Sequence, residues 1–298
     1  MSHEHSHYGH NHQHSSTENI RVAFFLNLGF TIFEIFGGLY TNSVAILSDA
    51  VHDLGDSISL GLSWYLDGKS KQKGDRHFSF GYQRFSLLGA LINGSVLVIG
   101  SILILTKTIP RLFSPEHADA QGMMWIAIIG VIVNGAAVLR MKGGQSMNER
   151  LVSWHLFEDV LGWLAVLIVS VVLMFWDIPI LDPLLSIAIL AFVLFNVVKN
   201  LRETLKVFLQ AVPKEVDIAA LEKKVKALED VVDVHHTHIW SLDGAQHVLS
   251  IHLVIKEPSS VKGIITLKSK VKEVLKKSGI SHATIEIEFP DESCYMPD

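Results

Sequence analysis

Thiols are nearly absent: Cys294 is the only cysteine, so no internal disulfide can form and a disulfide-stapled scaffold is excluded. Charge is also scarce. Asp, Glu, Lys and Arg make up 18 % of the 298 residues, against roughly 25 % in ordinary globular chains. Basic residues are outnumbered, the formal net charge being −5, and no basic stripe appears, which argues against nucleic acid as a partner. No HExxH, P-loop or nucleophile-elbow pattern occurs. The first fifteen residues have no apolar core, so a cleavable leader is not expected. What is plentiful is apolar side chain, 49 % of the chain, with a mean hydropathy of +0.35.

These apolar residues concentrate in six stretches: Val22–Leu39, Ser43–Leu66, Phe85–Thr106, Met123–Leu139, Leu151–Trp176 and Ile178–Val198. Each is near the ~20 residues a helix needs to cross a bilayer. A chain in lipid has to satisfy its own backbone, which predicts six transmembrane helices over residues 20–200. Loop charge sets the orientation. Lys69, Lys71, Lys73, Arg76 and Arg84 follow the second stretch, and Arg140, Lys142 and Arg150 follow the fourth, whereas the opposite side carries only Lys107 and Arg111. The positive-inside rule places both termini in the cytoplasm. Residues 1–19 form a separate tail holding His3, His5, His7, His10, His12 and His14, a composition able to capture metal.

Charges inside the spans carry the chemistry. In the second span Asp49, His52, Asp53 and Asp56 fall at offsets 0, 3, 4 and 7, within an arc of about 100°. Each aspartate at mid-bilayer costs about 2.5–3.5 kcal/mol on the insertion scale. Such a face needs a partner, water or a cation. The fifth span repeats the device, with His155 four residues before Asp159 and Glu158 on the same side. Paired face to face, His52, Asp56, His155 and Asp159 supply two nitrogens and two oxygens, a set suited to tetrahedral zinc. Cobalt, iron(II), cadmium and manganese are compatible with the same ligands. Asp49, Asp53 and Glu158 are candidates for orienting the ligands or lining a polar pathway. Glu34 is a candidate for the same cavity, and Asn27 and Asn93 for helix packing.

After Lys199 the composition turns mixed. Ile218, Leu221, Val225 and Leu228, and again Ile264, Leu267, Val271 and Val274, have helical spacing. Three strand-like runs accompany them: Val231–Leu242, Gln246–Ile255 and His282–Phe289. Asp243-Gly244 is a hairpin signal, and Gly279 suits a helix end. The order αββαβ over residues 201–298 predicts a two-layer α+β domain.

The two His-x-x-x-Asp pairs, in spans two and five of six, resemble those of the cation diffusion facilitator family of zinc transporters. SVAILSDAVHDLGDS is similar to that family's second span, HFSFGYQRFSLLGALING to its loop and third span, NERLVSWHLFEDVLGWLAVL to its fifth, and HHTHIWSLDGAQHVLSIHLVI to the start of its soluble domain. The bacterial zinc, cadmium and cobalt resistance subgroup is the nearest likeness, and implies the inner, cytoplasmic membrane. The resemblance implies that His52, Asp56, His155 and Asp159 are the transport site, with histidine at both first positions favouring zinc. It implies a cytoplasmic domain of ferredoxin-like shape that forms a homodimer. It also implies regulatory zinc at His235 and His252, with Glu288 where another ligand is often found. His282 is a weaker candidate, and His238 reads as packing. Some members bind a second metal in the loop after span two. Here Asp75 and His77 are present, but Phe78 and Tyr82 stand where those members have histidine, so no complete site is expected.

Zinc needs its ligands deprotonated. An empty site with two uncompensated carboxylates in a low dielectric should take up protons, with histidine the natural acceptor. Metal and protons then compete, and alternating access makes the result antiport, with divalent metal and protons exchanged across the lipid bilayer. The resemblance implies the same exchange and adds its direction: zinc export from the cytoplasm, with cadmium or cobalt as further cargo. The alternatives are a membrane-bound metal sensor and a metalloenzyme. A di-iron enzyme calls for a Glu-x-x-His pair on two helices, which the spans lack.

Overall fold

The structure is a computed structural model that describes residues 13–70, 72, 74–141, 147–256, 260–292 and 294; within these, the side chains of 13–20, 22–23, 63–64, 66–70, 140–141 and 147–156 are not described. The His3–His12 part of the tail lies outside the described residues, as does the side chain of His14. The described residues fall into two units, those within Met1–Gly68 and Gly89–Leu201, and those within Lys69–Leu88 and Arg202–Asp298.

Each of the six apolar runs is a helix: α1 Gln13–Thr41, α2 Val44–Ser70, α3 Phe85–Phe113, α4 Ala120–Met141, α5 Met147–Phe175 and α6 Leu181–Phe208. All but α2 contain a window long and apolar enough to cross a membrane. α2 falls short because its carboxylates break the run. In the five qualifying windows only 22–33 % of residues are buried. Large apolar side chains such as Leu26, Phe36, Ile168 and Phe195 face outward. A continuous outward apolar surface of this kind suits lipid rather than water.

The inward faces pack by shape. Trp163 on α5 is fully buried among Ile46, Met123, Ile126, Ala127 and Val166, with Phe30 of α1 edge-on at 5.9 Å. α4 passes close beneath it at Gly130, where a Cβ would overlap the indole. Small residues at such crossings let membrane helices approach closely. The start of α2 is held by α6. Asp182 accepts from Ser43 Oγ at 2.5 Å, Val44 N at 2.9 Å and Ala45 N at 3.2 Å, satisfying donors that a helix N-terminus leaves open. One turn on, Ser186 hydroxyl meets Ser48 at 2.7 Å and Thr108 of α3 at 3.0 Å. Asn27 donates to Asp53 O and Ser57 Oγ, and Asn93 to Ser59 Oγ, so both asparagines bind α2 to its neighbours.

The C-terminal part comprises α7 Ile218–Lys226, β1 Val231–Ser241, β2 His247–Ile255, α8 Val261–Lys277 and β3 Ile280–Glu288, in the αββαβ order. The sheet runs β1-β2-β3, with β1 antiparallel and β3 parallel to β2. Asp217 and Ser260 cap the two helices, accepting from Ala220 N and Gly263 N. Asp243 and Gly244, the latter at φ +97°, form the hairpin connection. Gly279, at φ +83°, follows α8 and admits the left-handed step that ends it. β3 begins at Ile280, two residues earlier than the sequence predicts, because Ile280 pairs with His247 directly after that glycine. Leu249, Ile251, Leu253 and Ile255 of β2 share one core with Leu221, Val225, Leu267, Val271 and Leu275. The period of two therefore sends Ser250, His252 and Val254 to the opposite face, away from the helices.

Candidate functional site

Two groups of ligand-type side chains stand out, one in each unit. In the first, the i, i+4 spacing on α2 sets His52 Nε2 3.9 Å from Asp56 Oδ2, and α5 brings Asp159 Oδ1 to 3.6 Å from the same nitrogen. The three side chains are largely enclosed, at 22 %, 29 % and 10 % exposure. His155 lies on α5 one turn before Asp159, but its side chain is outside those described. Three of the four residues singled out from the sequence thus meet at one place, from two helices. At 3.6 and 3.9 Å they stand about as far apart as ligands on one small ion, with bonds of about 2.0–2.2 Å each.

Further acids surround this point. Asp49 and Asp53, on the same face of α2, are 6 % and 5 % exposed, and Glu34 of α1 is fully buried. The Glu34 carboxyl meets that of Asp53 and lies in the field of Asp49 and Asp159. Neither Glu34 oxygen has a hydrogen-bond donor among the described residues. Four acids, Glu34, Asp49, Asp53 and Asp159, thus gather around one imidazole, an arrangement that lipid alone would disfavour. Glu158, the remaining acid near this point in sequence, is on the surface of α5. It is exposed, whereas Asp159 beside it is largely enclosed.

The loop after α2 has a different design. Asp75 accepts from His77 N and Phe78 N, both at 2.7 Å, and from the Tyr82 hydroxyl at 2.7 Å. The Phe78 amide, the Tyr82 phenol and the His77 amide hold its carboxyl below the usual aspartate range, and the anion in turn raises the phenol. The carboxylate is committed to organising a turn, and the rings of Phe78 and Tyr82 pack against each other at 4.8 Å.

The second group lies on the outer face of the small sheet. Register pairs His235 with His252, and His252 with Glu286. A bulge between His235 and His238, with His236 at φ +47°, turns successive histidines toward one side. Ring centroids of His235 and His236 lie 5.4 and 5.2 Å from that of His252. Glu288, 5 % exposed, places Oε1 2.7 Å from His252 Nδ1 and Oε2 3.0 Å from His235 Nε2. Burial works to raise the Glu288 carboxyl, but hydrogen bonds from His252 and Cys294 and the charge of His235 outweigh it and hold it below its ordinary value. Ligand atoms of His235, His252, Glu288 and Cys294 all lie within 4.8 Å of one another.

The three residues named from the sequence here are therefore neighbours. Glu286, 3.3 Å from His252 Nε2, was not foreseen, though its place two residues before Glu288 puts both on one strand face. Cys294 was not foreseen either, and no local spacing points to it. His282 sits elsewhere, its ring edge-on to Phe80 at 5.5 Å, and His238 is exposed beside His236.

Comparison with known proteins covers nearly the whole chain. Residues 20–209 match the cation efflux transmembrane domain, and residues 213–289 match the cytoplasmic domain of cation efflux proteins. The chain is 31 % identical to the cadmium, cobalt and zinc/H(+)-K(+) antiporter of Bacillus subtilis, over 94 % of its length and 92 % of the relative's. It is 31 % identical to the metal cation efflux system protein CzcD of Cupriavidus metallidurans, over 94 % and 90 %. The zinc transporter ZitB of Escherichia coli is 28 % identical, over 100 % and 95 %.

Proposed function

The chain belongs to the cation efflux family, a family of transporters and not of enzymes, and from that premise we propose that it exports zinc, with cadmium and cobalt as related cargo, in exchange for protons. The names of its relatives support this cargo and this coupling. The transport site is His52, Asp56, His155 and Asp159. The single observation that carries this assignment is Asp159 Oδ1 reaching across from α5 to within 3.6 Å of His52 Nε2 on α2. A two-helix site allows alternating access, since a small shift of one helix against the other opens or closes the ligand set.

With two carboxylates and two neutral imidazoles, a divalent ion leaves the site near neutrality, whereas the same ligands without metal favour protons. Each ligand set therefore exchanges one kind of cation for the other. α2 is the sixth span, kept inside by five apolar neighbours, and both termini face the cytoplasm. Residues 201–298 form a ferredoxin-like cytoplasmic domain through which the chain dimerises, a reading supported by the cytoplasmic domain it matches. Metal at His235, His252 and Glu288 regulates that domain by favouring one arrangement of the dimer.

Zinc uptake into proteoliposomes under an imposed pH gradient tests the proposal. Wild-type protein should carry zinc only with the gradient. His52→Ala, His155→Ala and Asp159→Ala should each reduce flux to background. Wild-type flux in any of the three would remove that residue from the site, and no flux in wild type would remove the transport reading.

A further inference from the structure

The Glu288–His252 pair already described sits beside Cys294, which follows β3. After β3 the backbone turns back on itself: Glu292 N donates to Phe289 O at 2.9 Å, and Phe289 N to the Glu292 carboxylate at 3.1 Å. That turn returns Cys294, half-buried, over the sheet face, with Sγ 3.6 Å from His252 Nδ1. A cysteine 42 residues from its neighbour reaches this position only because the turn and the parallel pairing of β3 with β2 bring it there.

We infer that Cys294 is a thiolate ligand to a zinc or cadmium ion held together with His235, His252 and Glu288, so that metal binding fastens Cys294 to the outer face of the sheet. The inference deepens the regulatory reading of that domain and rests on it. In a tetrahedral site with bonds of about 2.0–2.3 Å, neighbouring ligand atoms stand about 3.3–3.8 Å apart. Of the distances found, the 3.6 Å from Cys294 Sγ to His252 Nδ1 falls in that range; the 2.7 and 3.0 Å from Glu288 to the two imidazoles are hydrogen-bond lengths that an ion would spread by a few tenths of an ångström, and all four atoms lie inside 4.8 Å. Thiolate and carboxylate together cancel the charge of a divalent ion. Four protein ligands also close the site, as in structural rather than catalytic zinc centres. Glu286, on the other nitrogen of His252, holds the imidazole so that Nδ1 faces the ion. Sulfur makes the site softer than the oxygen- and nitrogen-only set between α2 and α5, and biases it toward zinc and cadmium over manganese or magnesium.

Because the chain has one cysteine, a sulfur signal is unambiguous. Full-length protein titrated with cobalt(II) should show a thiolate-to-cobalt charge-transfer band with the intensity of one sulfur. Cys294→Ser should lose that band while the ligand-field bands of cobalt bound elsewhere persist. Its cadmium affinity at this site should fall by at least the roughly 10–100-fold that loss of an outer-shell partner costs. Zinc should protect the thiol from iodoacetamide in wild type and not in His252→Ala. Cobalt bound without a sulfur band, or alkylation indifferent to zinc, overturns the assignment of Cys294. Should His235→Ala and His252→Ala bind as many cobalt ions as wild type, the regulatory site itself fails. If they bind one fewer while wild type shows no sulfur band, only the thiolate fails. Alkylated wild type, folded before modification, repeats the cobalt test without a substitution and should also lack the band.

Discussion

Asp75 illustrates how one carboxylate decides what a loop can do. It accepts three hydrogen bonds within its own turn, and its ionised form is the one those bonds favour. Its folded-state carboxyl titrates below the ordinary aspartate value, about 3.9. The ordering it contributes is therefore present above that value and lost as the pH falls through the lower, folded-state value. Amide exchange of His77 and Phe78 should be protected near neutrality and become unprotected in strong acid. Asp75→Ala should abolish the protection at neutral pH and speed tryptic cleavage after Arg76 several-fold; unchanged protection would show that the turn holds without the carboxylate. Other single residues differ in how openly the sequence shows them. His52 and Asp56 are legible because an i, i+4 pair of polar groups has no cheap explanation in an otherwise apolar stretch. Glu34 is visible only as one acid among apolar neighbours; its meeting with Asp53 depends on how α1 and α2 cross. Cys294 is invisible to any local pattern, because a reversal of the chain after β3 delivers it. The bulge that gathers His235 and His236 is equally hidden, since alternation alone would send them to opposite faces.

At the scale of elements, α2 is unusual in carrying the polar face of the transmembrane unit, and its position has to be enforced. Asp182 does part of this from α6, holding Ser43, Val44 and Ala45 at the helix start. A carboxylate on open amides of a helix N-terminus is favoured by both hydrogen bonding and the helix dipole. Asp182→Ala should cost about 1–3 kcal/mol and lower the thermal midpoint in detergent, with Asp182→Asn intermediate. A variant that melts with wild type would mean that α2 is held without this contact. The existence of all six helices could be read from apolar runs of near-spanning length, five of which are apolar enough to cross a membrane, where the backbone has to satisfy itself. Their ends could not. α3 runs on to Phe113 and α6 to Phe208, past the expected ends at Thr106 and Val198, and both helices stay apolar enough to cross a membrane over that full length. The αββαβ order was legible from periodicity, glycine and the Asp-Gly turn. The parallel pairing of β3 with β2 depends on α8 crossing between them.

For the whole molecule, the two units are built for different solvents. The first turns apolar side chains outward and closes small residues against large ones inside. The second has a conventional core, with Leu249, Ile251, Leu253, Val271 and Leu275 all at or below 1 % exposure, and a polar exterior. Hydrophobic burial drives only the second to fold in water. Residues 213–298 should therefore be soluble as a separate fragment and unfold in one cooperative transition, as small single domains do. Val271→Ala, which removes two methyl groups from a fully enclosed position, should lower its stability by about 1–3 kcal/mol, read as a shift of the urea midpoint at constant slope. The residues that tie the core together all lie after 213, whereas the Lys69–Leu88 segment adds none to it. A fragment that stays unfolded, or melts without cooperativity, would show that this core needs the rest of the chain to form. A fragment that folds but is indifferent to Val271→Ala would place its stability somewhere other than the helix–sheet interface.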